Sequence, residues 1–406
     1  MSDKSSGFTV MSGLRRTFRC AALAVMAVVG FAQTAPVHAV GADVQTRAGL
    51  GADDGGAAWR GVSAGQFHTC ATRVDGSLWC WGSAAYGELG NGRSTGVYPP
   101  ARVGFANDWT SVAAGYGHTC ATKTDKTLWC WGFNNMGQLG DGSTTERHNP
   151  VRVGFGRDWL RVSAGERHTC GLQTNGTLWC WGYDYFGQLG DGGHQSLKSP
   201  AQVGHDTDWA SVSAGAEHTC ATRTDGGLWC WGWGARGQLG NGSNADSSTP
   251  VQVGSVMDWA SVDAGQAHTC GLSDSGDAWC WGDNARGALG NGSKLDSSVP
   301  VEVDGVMSWT SITTGGGDTC GRRSDKTMWC WGYNAFGELG DGTLVDSAVP
   351  VQVGTSRSWA GMSAGLQHTC ATRANGTLWC WGYNADGQLG NGSTVDNPFP
   401  GRVKGR

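Results

Sequence analysis

The chain has 406 residues, 69 of them glycine and 15 cysteine, with a formal net charge of −5. A chain this long exceeds one undivided core, so its mass divides among modules. Charge so sparse and so nearly balanced marks neither a nucleic-acid binder nor a disordered acidic chain.

Residues 1–39 carry the pattern of a secretory signal. Arg15, Arg16 and Arg19 form a positive n-region, residues 20–32 a short apolar h-region, and Val37-His38-Ala39 sets small side chains where a signal peptidase reads. The h-region is short for a membrane anchor, and Thr17-Phe18-Arg19 before Cys20 is no lipobox. Met11 offers a second start. Residues 40–58 are small and polar, the composition of a linker. Beyond position 40 no apolar run reaches the length of a spanning helix, about 18 residues. The expectation is an exported chain: secreted, periplasmic or held at the cell surface.

From residue 59 onward a unit of 50 residues occurs seven times without insertion or deletion, which means a solenoid or a propeller. In the unit starting at Trp209, residues 209–214 alternate and stop at Gly215. A second strand, 218–223, ends at the Thr224-Asp225-Gly226 hairpin, with glycine where a positive φ is wanted. Residues 228–231 form a third strand. After a glycine-rich loop, residues 250–253 form a short edge strand that opens on Pro250. Four short antiparallel strands per unit predict an all-β, seven-bladed β-propeller over residues 59–406. No Pro-x-x-Val segment precedes Trp59, whereas Pro400-Gly401-Arg402-Val403 ends the last unit. The phase therefore predicts that residues 400–403 pair beside residues 59–64, completing the first blade and closing the ring.

The three-residue loop at Val74-Asp75-Gly76 sets Cys70 opposite Cys80, within disulfide reach if the pair is not hydrogen-bonded. The same geometry recurs six times: Cys120 faces Cys130, Cys170 faces Cys180, Cys220 faces Cys230, Cys270 faces Cys280, Cys320 faces Cys330 and Cys370 faces Cys380. In an exported chain seven intrablade disulfides follow, and Cys20 leaves with the signal. The rival is zinc on His68, Cys70 and Cys80, but no Cys-x-x-Cys element is present and Asp318 replaces the histidine in the sixth unit. Trp79 and Trp81 share the face opposite Cys80. They, Trp59 and their equivalents are expected between adjacent blades. Trp233 alone falls in a loop.

The pattern Gly-x-x-His-Thr-x-Ala followed by Gly-x-Leu-Trp-x-Trp-Gly-x-Asn-x-x-Gly-Gln-Leu-Gly, clearest at residues 365–390, resembles the regulator of chromosome condensation repeat. The resemblance covers residues 59–403 and implies a seven-bladed propeller whose last-joined blade combines both termini. The cysteines fall on the pattern's variable positions. Three functions are implied by such propellers. One is guanine-nucleotide exchange through a wedge inserted in one blade, and no unit here carries an insertion. A second is the plant UV-B photoreceptor's Gly-Trp-Arg-His-Thr motif; its tryptophan position here reads Gln66, Tyr116, Glu166, Ala216, Gln266, Gly316 and Leu366. The third is a secreted bacterial inhibitor that caps β-lactamases with one propeller face, whose compartment matches.

Strand direction places the Gly-x-x-His turns, the Trp-Gly-x-Asn loops and the segments before each proline at one end of the ring. Much of the substitution between units falls there: Phe67, Tyr116, Arg167, Tyr183, Tyr185, Phe186, Trp233, Arg236, Arg286, Tyr333, Phe336 and Tyr383. Aromatics and arginines on loops anchor protein interfaces, so this end is the expected partner-binding face. The expected partner is a protein or a cell-surface glycan, bound by a monomer that needs no cofactor, metal or nucleic acid. Catalysis is not expected: no Gly-x-Ser-x-Gly, His-Glu-x-x-His or phosphate loop occurs, and six symmetric histidines suit a scaffold. The Asp141, Asn241, Asn291, Asp341 and Asn391 loops suit calcium or tight turns equally. The alternatives are an exchange-type regulator by family analogy, or a glycan-binding protein or enzyme using the axial channel.

Overall fold

The computed structural model describes residues 57–255, 258–305 and 308–405. The expected signal at 1–39 and residues 40–56 of the expected linker lie outside the described residues. Among those described, 28 strands form seven four-stranded antiparallel sheets, and the secondary structure is all β. Each sheet is one blade. Blade 1 consists of Trp59–Ala64, His68–Arg73, Leu78–Gly82 and Val97–Arg102, taken from the inside of the ring outward. Blades 2 to 7 repeat this order.

Local chemistry sets the hairpins. Arg73 N–H donates to Ser77 O at 2.9 Å, while the Asp75 carboxylate accepts from Ser77 N–H at 2.9 Å. Counting back from that turn puts Cys70 against Cys80 with 4.1 Å between Cα atoms, and a disulfide joins them. The other expected pairs are bonded in the same way. Cys120 is joined to Cys130, Cys170 to Cys180 and Cys220 to Cys230. Cys270 is joined to Cys280, Cys320 to Cys330 and Cys370 to Cys380. Each bridge links the second and third strands of one blade, as the hairpin count requires. The outer strands begin earlier than expected; the fourth blade's runs from Ser247 to Gln252.

Packing between blades follows the alternation of the third strand. The Cys70, Leu78 and Cys80 face of blade 1 packs against Trp109, Ala121 and Trp131 of blade 2, and the other blades follow suit. The expected interblade tryptophans are there. Trp81 and its six equivalents are fully buried, each with its indole about 6 Å from the first-strand tryptophan of its own blade. Arg73, Lys123, Arg223 and Arg373, which end second strands, each lie over two of these rings: the Arg73 guanidinium is 4.4 Å from both the Trp59 and Trp79 centroids, whereas Arg323 lies over Trp329 alone.

The ring closes differently from the expectation. The strand at the C-terminus, Asn397–Arg402, pairs with Leu378–Gly382 of its own blade and not with Trp59–Ala64. Blade 1 is completed by its own Val97–Arg102. The physical reason lies at the axis: the first strands line the central cavity, so their free edges have no room for another strand. Closure is instead blade against blade. Trp59, Ala71 and Trp81 pack on Cys370, Leu378, Cys380, Leu389 and Val403. Leu366 N–H donates to Gly65 O at 3.2 Å and Trp81 Nε1–H to Gln388 O at 2.8 Å. Ala58, the end of the expected linker, belongs to the propeller: it is buried and its carbonyl accepts from Val74 N–H.

Candidate functional site

The repeated Gly-Gln-Leu-Gly motif proves to be a clasp between blades. In the loop after the third strand of blade 2, Leu139 enters the core and Gln138 Oε1 accepts from Met136 N–H at 3.0 Å. The Gln138 carbonyl accepts twice from blade 3, from Thr169 Oγ1–H at 2.8 Å and Trp181 Nε1–H at 2.9 Å. Gly140, at φ +68°, leaves space for the Trp181 indole, since a Cβ would lie 2.7 Å from Nε1. The motif's asparagine folds the loop that follows: Asn134 Oδ1 accepts from Leu139 N–H and its amide donates to Ser143 and Thr145 carbonyls.

The histidines complete this clasp. His68 Nε2 meets Thr119 Oγ1 at 2.8 Å, and Thr119 gives its own proton to Glu88 O, so the imidazole must be the donor. Equivalent pairs join His118 to Thr169, His168 to Thr219, His218 to Thr269, His268 to Thr319, and His368 to Thr69 across the closure. Burial holds these imidazoles neutral, pushing His68, His168, His218 and His368 down to about 3 and His118 and His268 to about 4. The scaffold role expected of them holds, and the cysteines of the rival zinc set are consumed by disulfides. Blade 6 is the exception. Asp318 stands in the histidine position, buried, and burial pushes its carboxyl well above the usual range, helped by Glu338. Glu338, also buried, is raised to about 7 by desolvation.

The axis holds a cavity of about 230 Å³, lined by the seven Ala-Gly-x turns or their Thr-Gly-x equivalent. Its walls are largely self-satisfied. Ser63 Oγ accepts from Ala114 N–H and Ser363 Oγ from Ala64 N–H, each at 3.0 Å. In blade 5 Asp263 takes the serine position and does the same work. It accepts from Ser213 Oγ–H at 2.9 Å and Thr314 N–H at 2.8 Å, and burial raises its pKa. The Asp141 and Asn241 loops are turns in which the side-chain oxygen accepts from the serine N–H two residues on.

At the end of the ring where the loops gather, the expected binding residues fall into three groups. Tyr116 lies at the cavity mouth with its ring 6.1 Å from Phe67. On blades 3 and 4, Tyr183 and Tyr185 lie parallel at 6.4 Å, Phe186 meets Tyr185 edge-on at 5.0 Å, and Trp233 is 6.1 Å from Phe186. Arg167 stands 3.4 Å from Glu166, and burial together with Glu166 raises the neighbouring Glu217. On blades 4 to 7, Arg236 reaches Asp296 at 3.4 Å, Arg286 reaches Asp346 at 3.3 Å and lies over Tyr333, and Phe336 bridges Tyr333 and Tyr383.

Sequence reading missed the rule behind these contacts. At five of the seven junctions between blades, the residue four places after the Trp-Cys-Trp-Gly glycine meets the residue one place after that glycine in the next blade. Tyr86 pairs with Phe133, Phe186 with Trp233, Arg236 with Asp283, Arg286 with Tyr333 and Phe336 with Tyr383. The only available signal was that both positions change together, 47 residues apart. Of the expected binding residues, Phe67, Tyr116, Arg167, Tyr183, Trp233, Tyr333 and Tyr383 are half-buried, while Tyr185, Arg236 and Arg286 are exposed.

Comparison with known proteins bears directly on this fold. The model of the RCC1-like domain matches residues 39–321, and that of the regulator of chromosome condensation (RCC1) repeat matches 325–372 and 375–406. The chain belongs to the RCC1 repeat family. Among solved structures, human WBSCR16 is 25% identical with a TM-score of 0.74, over 81% of this chain and 94% of that one. Yeast RCC1 (Prp20), solved with Kap60, is 21% identical with a TM-score of 0.73, over 81% and 84%. A second Saccharomyces cerevisiae Prp20p structure, described with its binding to Gsp1p and histones, is 21% identical with a TM-score of 0.72, over 82% and 87%. No curated protein matches. Against the RCC1 repeat, the seven disulfides of this chain add a chemistry suited to an oxidising compartment. No helix among the described residues is long and apolar enough to cross a membrane.

Proposed function

We propose that the protein is an exported interaction module that binds a protein partner through its loop-rich face and carries out no catalysis itself. One observation carries this reading: the carbonyl that accepts from Thr and Trp of the next blade, the disulfide and the interblade tryptophans recur in all seven blades, whereas the loop end differs from blade to blade. That difference leaves Tyr185, Arg236 and Arg286 exposed on a stapled ring. Rigid presentation lowers the ordering cost of binding, and Tyr and Arg are frequent anchors of protein interfaces. Protein binding in the family, as described for yeast Prp20p with Gsp1p and histones, is consistent with it. Export is supported by the signal-like residues 1–39 and by the disulfides.

The test is capture from the native envelope and extracellular fraction with two baits, the protein and a variant combining Tyr185→Ala, Arg236→Ala and Arg286→Ala. A partner held by the first and lost by the second is the expected result. A partner held equally by both moves the site off this face and refutes the reading.

A further inference from the structure

Blades 5, 6 and 7 carry an apolar strip that none of the contacts above uses. Leu295 and Val299 on blade 5, Leu344, Val345 and Val349 on blade 6, and Val395 and Phe399 on blade 7 are between 40% and 78% exposed. They lie just before and within the outer strands, at matching places in three consecutive units. The same places in blades 1 to 4 read Thr95, Thr145, Gln195 and Ala245, and Pro99, Asn149, Ser199 and Thr249. The ring is therefore symmetric in its core but lopsided at these two places; exposed Tyr98, Phe105 and Phe155 lie elsewhere, on blade 1 and in the loops after the outer strands of blades 1 and 2. Burying one such side chain removes on the order of 100 Å² of apolar surface, so these exposures amount to roughly 400–500 Å². A two-fold contact between copies would bury twice that, close to the roughly 1,000 Å² that marks a specific interface, before any polar rim is added.

We infer that this strip is a self-association face, through which two copies of the chain pair about a two-fold axis passing by blade 6. Such an axis sets blade 6 against itself and blade 5 against blade 7 of the second copy. The charges on the two flanking blades then complement each other. At matching places on the outer strands, exposed Glu302 on blade 5 comes opposite exposed Arg402 on blade 7. The centre, at Val345, is aliphatic. The contact runs through side chains and not by adding strands, because Pro300, Pro350 and Pro400 interrupt the outer edges. The strip uses none of the loop residues assigned to the partner, so the two readings stand or fall separately. It also departs from the monomer expected of the sequence.

The test is sedimentation equilibrium of the purified protein between about 1 and about 100 µM. A dimer is expected. Val345→Asp and Val345→Lys should each weaken it at least about tenfold, since each places like charges on the axis. Mixing the two variants should restore a dimer, one chain of each kind. Thr145→Asp, at the matching place on blade 2, should leave association unchanged. A wild-type monomer throughout the range, a dimer indifferent to Val345→Asp, or a mixture that stays monomeric would each overturn the inference.

Discussion

Acid should unfold this propeller early, and its histidines say by how much. Six buried imidazoles are neutral in the fold, with values pushed from 6.5 down to about 3 or 4. Their folded values lie below the unfolded one, so below pH 6.5 the unfolded chain binds more protons. The stability they hold is fully present above pH 6.5 and is lost as pH falls toward about 3. At pH 5, each costs about 2 kcal/mol, or about 12 kcal/mol for the six, at about 1.4 kcal/mol per pH unit. Glu338, raised to about 7, runs the other way and returns about 2 kcal/mol over the same change, and Asp318 shares its sign. The net loss still rivals the roughly 5–15 kcal/mol that holds a domain together. Urea titrations with the disulfides intact, followed by tryptophan fluorescence from pH 8 to 4.5, should show the midpoint falling steeply below pH 6.5. His218→Gln keeps a donor for Thr269 without a titrating ring and should lessen the slope by about one sixth. A midpoint that is flat across this range would refute the buried, neutral histidine belt.

Three further outcomes test the clasp and the staples. Asp318→His restores the seventh imidazole and removes a buried carboxyl whose proton is lost as pH rises; it should stabilise the fold by about 1–3 kcal/mol at pH 8 and by less at pH 5, in the same titration. Replacing Cys220 and Cys230 together with alanine opens one bridge of sequence separation 10. By loop-closure entropy this should cost just under about 3 kcal/mol, and peptide mapping without reduction should still find the other six bridges. Gly240→Ala forces a Cβ to 2.6 Å from Trp281 Nε1 at φ +69° and should lower the melting temperature by more than the same change at Gly254, where no atom lies within 4 Å.

The strands, hairpins and disulfide pairs were legible in the sequence because each depends on a few neighbouring residues. A period of two, a three-residue turn at Val74-Asp75-Gly76 and the count back to Cys70 and Cys80 need no knowledge of the other blades. Seven copies of each strand, by contrast, fit two ways of closing a ring equally well. Only packing chose, because the first strands enclose the axial cavity and the closure between blades 7 and 1 repeats every other blade contact. Exposure was decided in the same way. Tyr183, Trp233 and Tyr333 read as free loop anchors, yet Trp233 and Tyr333 each lie against a side chain of the preceding blade, and Tyr183 lies along Tyr185 of its own loop. Tyr185, Arg236 and Arg286 keep more of their surface because no facing side chain covers it fully. The aliphatic strip on blades 5 to 7 was equally silent in sequence. A valine in an edge strand reads the same whether its face is covered or bare, and only the assembled ring shows that nothing in the described chain covers Val345.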